Sequence, residues 1–465
     1  MHKITLKGDN RILYAHDGEL LSRVLMRHSL KFEHPCGGRG TCGKCTLRVN
    51  GKEELSCKYT VRGDIEVELA DSFNIQTASI GEETGKATEN MCLCFDIGTT
   101  TLVLALVSCD EGSVVKSVTR NNPQRAFALD VMSRIEYATK NGTEDMQRVL
   151  IDELNSMLKE LGAEDIDKLF VAGNTTMLHL FLGVDPSKMG HAPYTPEFLD
   201  LKELGAKELG IKTVDTVTAL PGISAFVGAD IVAGLNYVGM PTEDKYSILV
   251  DLGTNAEIVL YSKHKLYCTA AAAGPCFEGV NISCGMSAVD GAVYSCTGNG
   301  FKTVGNTKPK GICATGLIDA MALMLEGEYI DETGFMETPF EIAPRVTITR
   351  EDVRQFQLAK GAICSAIYAL VKKAGISFKD IDKVYVAGGF SSKMNVGNAL
   401  LTGLLPIEAG GKIYTVDNSC LKGLIKYACE KNELNLILDN AEYVDLAMDG
   451  YFGELFIENM IFKKP

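Results

Sequence analysis

The chain has 465 residues, 46% of them hydrophobic and 23% charged, an ordinary globular composition at a length that calls for two or three domains. Its formal net charge of −14 argues against nucleic acid as the main partner, because phosphate binding needs basic surface. No run of about 18 apolar residues is there to form a membrane helix, and the opening MHKITLKGDNRILYA lacks the apolar core of a signal peptide, so a cytoplasmic protein is expected.

Charge is spread unevenly. Residues 1–70 hold 12 Lys and Arg against 9 Asp and Glu, a net of +3 that leaves −17 for the rest. This is either a docking feature or chance surface variation. Within that segment, KITLK (3–7) and RILYA (11–15) read as a strand hairpin. ELLSRVLMRHS places Leu20, Leu21, Val24 and Leu25 at helical spacing. A cysteine-rich loop follows, then CTLRVNGKEELSC, a strand, an Asn-Gly turn and a second strand. DIEVEL closes the unit near residue 70. Two hairpins and a helix in this space suit a small mixed sheet gripping one helix.

Residues 71–91 are polar and aperiodic and read as a linker. From residue 92 the pattern changes. CLCFDIGTTTLVLALVS reads as a buried strand, a tight turn and another strand, and YSILVDLGTNAEIVLYS repeats it. A second echo pairs DIDKLFVAGNTTM (165–177) with DIDKVYVAGGFSSKM (380–394). The two Asp-to-Asp gaps are 69 and 129 residues, so the second copy carries insertions. One architecture used twice is expected, over 92–245 and 246–465, with a cleft between the copies.

The chemistry of DIGTTT suits a phosphate. Gly98 lets the backbone turn sharply, Thr99, Thr100 and Thr101 offer N–H groups and hydroxyls, and Asp96 supplies a carboxylate for hydrated Mg²⁺. Asp251, Gly253, Thr254 and Asn255 repeat the set. Gly388, Gly389 and Phe390 of VAGGF end a strand where a purine can lie on bare backbone. One D-x-G-T is weak evidence, but two in repeat order with the Gly-Gly turn are strong. The constellation resembles the superfamily of actin, sugar and acetate kinases and heat-shock chaperones, the ASKHA ATPases, whose duplicated body is RNase H-like. That resemblance implies ATP and Mg²⁺. It also makes Asp230, on a predicted helix ahead of Asp251, the candidate base or water-positioner; the alternative is a plain first-turn Asp favoured by the helix dipole. Glu278 of AGPCFEG and Gly316 of ATGLIDAM are further candidates to reach the nucleotide.

The chain has 15 cysteines, expected as thiols or metal ligands rather than disulfides. Cys92 and Cys94 alternate on one strand face and read as core. Cys36, Cys42, Cys45 and Cys57 are spaced C-x5-C-x2-C-x11-C, three of them in the glycine-rich loop CGGRGTCGKC. Zinc ribbons usually present two separated C-x2-C pairs. Three ligands in one loop and a fourth returning from a strand is instead the topology of plant-type [2Fe–2S] ligation with one residue added. A [2Fe–2S] cluster is therefore favoured, with structural zinc as the alternative. The loop's glycines free N–H groups to face cluster sulfur, and Arg39 and Lys44 add positive charge. The surrounding elements resemble the β-grasp ferredoxin fold.

Such a module ahead of an ASKHA body resembles the reductive activators of corrinoid-dependent enzymes. The resemblance rests on CGGRGTCGKC, VAGNTTMLHLFLG, PGISAFVGADIVAG, DLGTNAEIVL, AAGPCFEG, ATGLIDAM and VYVAGGF. It implies ATP-dependent transfer of one electron from a [2Fe–2S] cluster to an inactive Co(II) corrinoid on a methyltransferase corrinoid protein, restoring Co(I), with an upstream low-potential donor. Each 59 mV of uphill one-electron transfer costs about 1.4 kcal/mol, within reach of a nucleotide-driven change. Longer members carry a further domain between the two parts. Here the short linker suggests a form without that middle domain. A homodimer stays open. The alternatives are an activator of another metalloenzyme, a redox-sensing ATPase, or a small-metabolite kinase.

Overall fold

Alternating apolar residues build the first sheet. Strands β1 (His2–Lys7), β2 (Ile12–Ala15), β3 (Thr46–Val49), β4 (Lys52–Leu55) and β5 (Ile65–Glu68) line up in the order β2-β1-β5-β3-β4. β1 and β5 run parallel and the other neighbours antiparallel. Helix α1 (Leu21–Arg27) lays Leu21, Val24 and Leu25 on the buried face beside Ile4, Leu6, Leu47, Val49 and Val67. The hairpin, helix, hairpin order expected from the sequence is present. The computed structural model describes residues 1–7, 11–28, 30, 45–68, 83–163, 166–241, 244–431 and 433–462. Cys36, Cys42, Arg39, Lys44 and residues 71–82 of the expected linker lie outside the described residues. The end of that stretch is moored: Glu83 accepts from Ser117 N–H and hydroxyl at 3.0 and 2.9 Å, and Gly85 N–H donates to Val114 O at 3.0 Å.

The second sheet starts with β6 (Met91–Ile97), β7 (Thr101–Ser108) and β8 (Ser113–Asn121), an antiparallel meander. Helices α2 (Val131–Asn141) and α3 (Glu144–Leu161) follow, then β9 (Lys168–Gly173), parallel to β6, and α4 (Thr175–Leu182). β10 (Lys202–Gly205) and β11 (Thr216–Ala219) complete the order β10-β11-β9-β6-β7-β8, and helix α5 (Ala229–Val238) ends this half. β6 and β9 are apolar on both faces because helices cover both, as a two-sided sheet demands.

The third sheet repeats the plan. β12 (Tyr246–Leu252), β13 (Ala256–Tyr261) and β14 (Leu266–Ala271) form the meander. The insertion expected from the longer Asp-to-Asp gap holds a small sheet of β15 (Ala292–Thr297), β16 (Gly300–Thr303) and β17 (Gly311–Ile312), helix α6 (Ala314–Glu326), the hairpin β18 (Phe340–Ala343) and β19 (Val346–Ile348), and helix α7 (Arg350–Lys373). Thr349 and Asp352 start α7 with a reciprocal capping box. Then β20 (Ile381–Ala387) pairs parallel with β12, helix α8 (Val396–Leu401) follows, and β21 (Ile413–Thr415) pairs parallel with β20. Helices α9 (Ser419–Glu430) and α10 (Asn435–Leu438), strand β22 (Ala441–Tyr443) and helix α11 (Gly450–Met460) finish the described chain. The order β21-β20-β12-β13-β14 mirrors β11-β9-β6-β7-β8, and the stretches that lead into the two VAG turns fall on the equivalent strands β9 and β20.

The halves meet through two helices. α9 belongs to the second half by sequence, yet Leu421, Leu424, Ile425 and Ala428 join the core of the first. It crosses α5 so closely that a Cβ on Gly423 would stand 1.7 Å from the Ala233 carbonyl oxygen. Asn236 Nδ2 donates to Gly423 O and Lys426 Nζ to Asn236 O, each at 3.0 Å. Overpacking of this kind costs about 1–3 kcal/mol. Gly423→Ala should therefore lower the thermal midpoint clearly, read by scanning calorimetry; an unchanged midpoint would show that the crossing can spread without loss.

Candidate functional site

Asp96 and Asp251 sit at matching strand ends. The pair Ile97–Leu102 closes the first turn over residues 98–101, and Leu252–Ala256 closes the second over 253–255. Gly98 N–H returns to Thr101 O and Gly253 N–H to Asn255 O, each at 3.0 Å. The N–H groups of Thr99, Thr100 and Thr254 have no acceptor among the described residues. Such a row of free N–H groups and hydroxyls suits phosphate oxygens. Glu278, at the end of the short 3-10 turn Pro275–Glu278, joins the two turns: its Oε1 accepts from Thr100 Oγ1 at 3.0 Å and from Thr254 Oγ1 at 2.5 Å.

The amino ends of α5 and α9 converge on the same place. Asp230 lies in the first turn of α5, where its Oδ1 accepts from Ile231 N–H at 2.9 Å. At α9, Asn418 caps the helix, the Asn418 and Cys420 side chains lie beside Asp96 and favour its charged form, and Ser419 Oγ stands 3.5 Å from Asp251 Oδ2. Glu257, which sequence reasoning missed, is the register partner of Asp251 on β13. Four carboxyls thus share one pocket floor, enclosed by protein but each keeping some accessible surface. Burial pushes Asp96 up to about 6. Burial and then Asp96 bring Asp251 to about 6; burial and then Asp251 bring Asp230 to about 7. Burial, Asp230 and Asp251 raise Glu257 well above the usual carboxyl range. Crowded carboxyls facing free N–H donors are the chemistry of a hydrated magnesium polyphosphate. Among the described residues no three His, Cys, Asp or Glu stand close enough to hold a metal ion directly.

Gly388 adopts φ +107°, a conformation open to glycine, with the Leu252 carbonyl 2.2 Å from where a Cβ would be. Gly389 beside it is exposed and meets nothing within 4 Å, leaving room for a flat ligand. Phe390 packs against Phe277, ring centres 5.4 Å apart, which ties this turn to the Glu278 segment. Gly316 lies buried in the first turn of α6, where a Cβ would stand 2.2 Å from Val293 O; close packing accounts for it. An open depression of about 570 Å³ between Leu199–Leu201 and the α9–α10 connection contains none of these groups, so the chemistry points to the cleft between the turns instead.

In the first sheet, Cys45 and Cys57 are buried and place their sulfurs 3.2 Å apart. Neighbouring Ser56 has a buried hydroxyl with no hydrogen-bond partner among the described residues. The two facing thiols would suit metal ligation, and the Ser56 hydroxyl could donate to a sulfur acceptor there.

The duplicated sheets and paired D-x-G-T turns define an ASKHA-type α/β body. The family model for the C-terminal domain of RACo, the ASKHA domain, matches residues 245–465, and the model for the RACo middle region matches 91–243. The chain is 31% identical over 418 residues to the corrinoid activation enzyme RamQ of Eubacterium limosum, covering 80% of this chain and 70% of that protein. It is 25% identical over 395 residues to the [Co(II) methylated amine-specific corrinoid protein] reductase of Methanosarcina barkeri, covering 76% and 72%. A solved reductive activator for corrinoid, iron-sulfur protein superposes with a TM-score of 0.71 at 26% identity, over 99% of this chain and 98% of that one. The chain belongs to this family of corrinoid reductive activators. One expectation is overturned: the middle region is present, because its model matches the sheet of β6–β11 that was read as the first ATPase lobe. The short linker misled, since the region lies beyond it, inside the repeat.

Raised carboxyls make the folded form bind more protons than the unfolded chain between about pH 4 and pH 7, so their contribution to stability falls as pH rises through that window. The thermal midpoint of nucleotide-free protein should drop relative to Asp230→Asn between about pH 5 and pH 8, leaving the variant ~2 °C or more above wild type at the alkaline end. Curves that stay parallel would rule out the shared charge. For Glu278→Gln, ATP affinity measured without Mg²⁺ should rise about fivefold, equivalent to ~1 kcal/mol of relieved repulsion. A loss of affinity would show that the carboxylate helps bind nucleotide instead.

Proposed function

We propose that this chain is an ATP-dependent reductive activator that delivers one electron to the Co(II) corrinoid of a methyltransferase corrinoid protein and restores Co(I). The carrying observation is the match to the corrinoid activation enzyme and to the Co(II) corrinoid protein reductase across most of their lengths. Cys36, Cys42, Cys45 and Cys57 would hold a [2Fe–2S] cluster in a β-grasp ferredoxin-type module, supported by the sulfur pair at 3.2 Å. Such a cluster supplies a single electron at low potential. In this reading residues 1–70 form that module, ahead of the RACo middle region at 91–243 and the C-terminal ASKHA domain at 245–465.

In this reading the Thr99, Thr100 and Thr254 N–H groups and the Thr100 and Thr254 hydroxyls bind the phosphates. Asp96 and Asp251 would hold a hydrated Mg²⁺, and Asp230 would orient the attacking water. Gly388 to Phe390 receive the purine. Because Glu278 already bonds both turns, nucleotide entry must remake contacts from both halves at once, which couples binding to their relative position.

The test is reduction of a partner's Co(II) corrinoid, followed by absorption under anaerobic conditions with a low-potential donor. Rapid Co(I) formation with ATP and none without it is expected; ATP-independent reduction would overturn the coupling. Cys45→Ser and Cys57→Ser should lose iron, sulfide and visible absorption and stop reduction while ATP binding persists. Full iron content in both variants would remove them as ligands.

A further inference from the structure

Arg134, in α2, is fully buried. Its Nε donates to Ala128 O at 3.0 Å, Nη1 to Gln124 Oε1 at 3.1 Å and to Met177 Sδ at 2.9 Å, and Nη2 to Thr99 O at 2.6 Å. All four acceptors are neutral, and a guanidinium has five N–H donors. Among the described residues no carboxylate forms an ion pair with it. The acids whose charge reaches it are engaged elsewhere. Asp130 caps α2 by accepting from Ser133 N–H and hydroxyl, and Glu278 accepts from Thr100 and Thr254. Arg125 adds a like charge, and burial pulls the guanidinium's pKa down to about 9. A buried cation without a counter-ion is costly, and the cost falls when an anion arrives.

The acceptor Thr99 O belongs to the first phosphate turn. Its neighbours are held in the same manner: Asn122 Nδ2 donates to Gly98 O at 2.8 Å and Asn174 Nδ2 to Thr99 Oγ1 at 3.0 Å. Two carbonyls that would repel a phosphate are thereby tied to side chains, while the Thr99 and Thr100 N–H groups stay free. Gln124 is itself buried, and its Nε2 donates to Met146 O at 3.1 Å, which fixes its oxygen against Arg134.

We propose that Arg134 is a positioning residue for the first phosphate turn and the buried counter-charge of the nucleotide's polyphosphate, holding the Thr99 carbonyl back and supplying a positive charge that bound ATP neutralises. The proposal rests on the nucleotide reading of the site. It predicts an effect graded by phosphate number, which a purely structural arginine would not show. Gln124→Glu keeps the side-chain shape but sets a carboxylate against the guanidinium, and Arg134→Lys keeps the charge but cannot repeat the fan of bonds. Titration calorimetry with ATP, ADP and adenosine on the full chain, with thermal midpoints alongside, tests both. In Gln124→Glu, ATP affinity should fall about tenfold, ADP affinity less, and adenosine affinity not at all, even if loss of the Met146 bond lowers the midpoint of a still cooperative unfolding. Arg134→Lys should weaken ATP binding less than Gln124→Glu does. Equal losses for adenosine and ATP, or ATP affinity within about twofold of wild type in both folded variants, would overturn the proposal. A wild type that binds adenosine and ATP equally well would instead refute the phosphate site itself.

Discussion

The crossing of α5 and α9 is the contact on which the site depends. Helix α9 leaves the sheet of its own half to pack on α5 and the first half's core, and Gly423 permits an approach that a methyl group would forbid. The consequence appears at the helices' amino ends. Asp230 on one helix and Asn418, Ser419 and Cys420 on the other reach the carboxyls that end β6 and β12. The helix dipoles place partial positive charge where the chain has gathered acids, which offsets part of their repulsion. The hydrophobic contact and the electrostatic site are thus built by the same two helices.

The electrostatics have a direction. Asp96, Asp230, Asp251 and Glu257 crowd the floor of the cleft, while Arg134 stands behind the first turn without an ion-pair partner among the described residues. Neither arrangement is comfortable alone. On the proposed nucleotide reading, a hydrated cation bound to a polyphosphate would answer both. Charge that costs stability in the empty protein becomes affinity for that ligand.

Local signals in the sequence carried well. The D-x-G-T turns need a strand end, a glycine and hydroxyls in consecutive positions, so Asp96 and Asp251 were readable, as was the duplication through DIDK…VAG. The return of Cys57 toward Cys45 followed from a short hairpin. What escaped was non-local. Glu257 stands within the DLGTNAE motif, but its role follows from cross-strand register with Asp251. Arg134 sits in an ordinary amphipathic helix and gains meaning only through Thr99. The Asn-Ser-Cys start of α9 is a readable cap, but nothing in the chain says that this helix crosses into the other half. The middle region was missed because it shares the repeat's architecture and was counted as one lobe.

A duplicated clamp raises a question of polarity. Two identical halves would present a near-symmetric groove, able to accept an elongated anion in either direction. Here the first turn is one residue longer than the second. The strand end that carries Asn174 in one half carries the open Gly389 in the other. Asn174 spends its side chain on capping α4 and holding Thr99, which fills the space that Gly389 leaves vacant. The groove therefore has a head and a tail. On the nucleotide reading, these single-residue differences between the copies would let an elongated anion enter one way round.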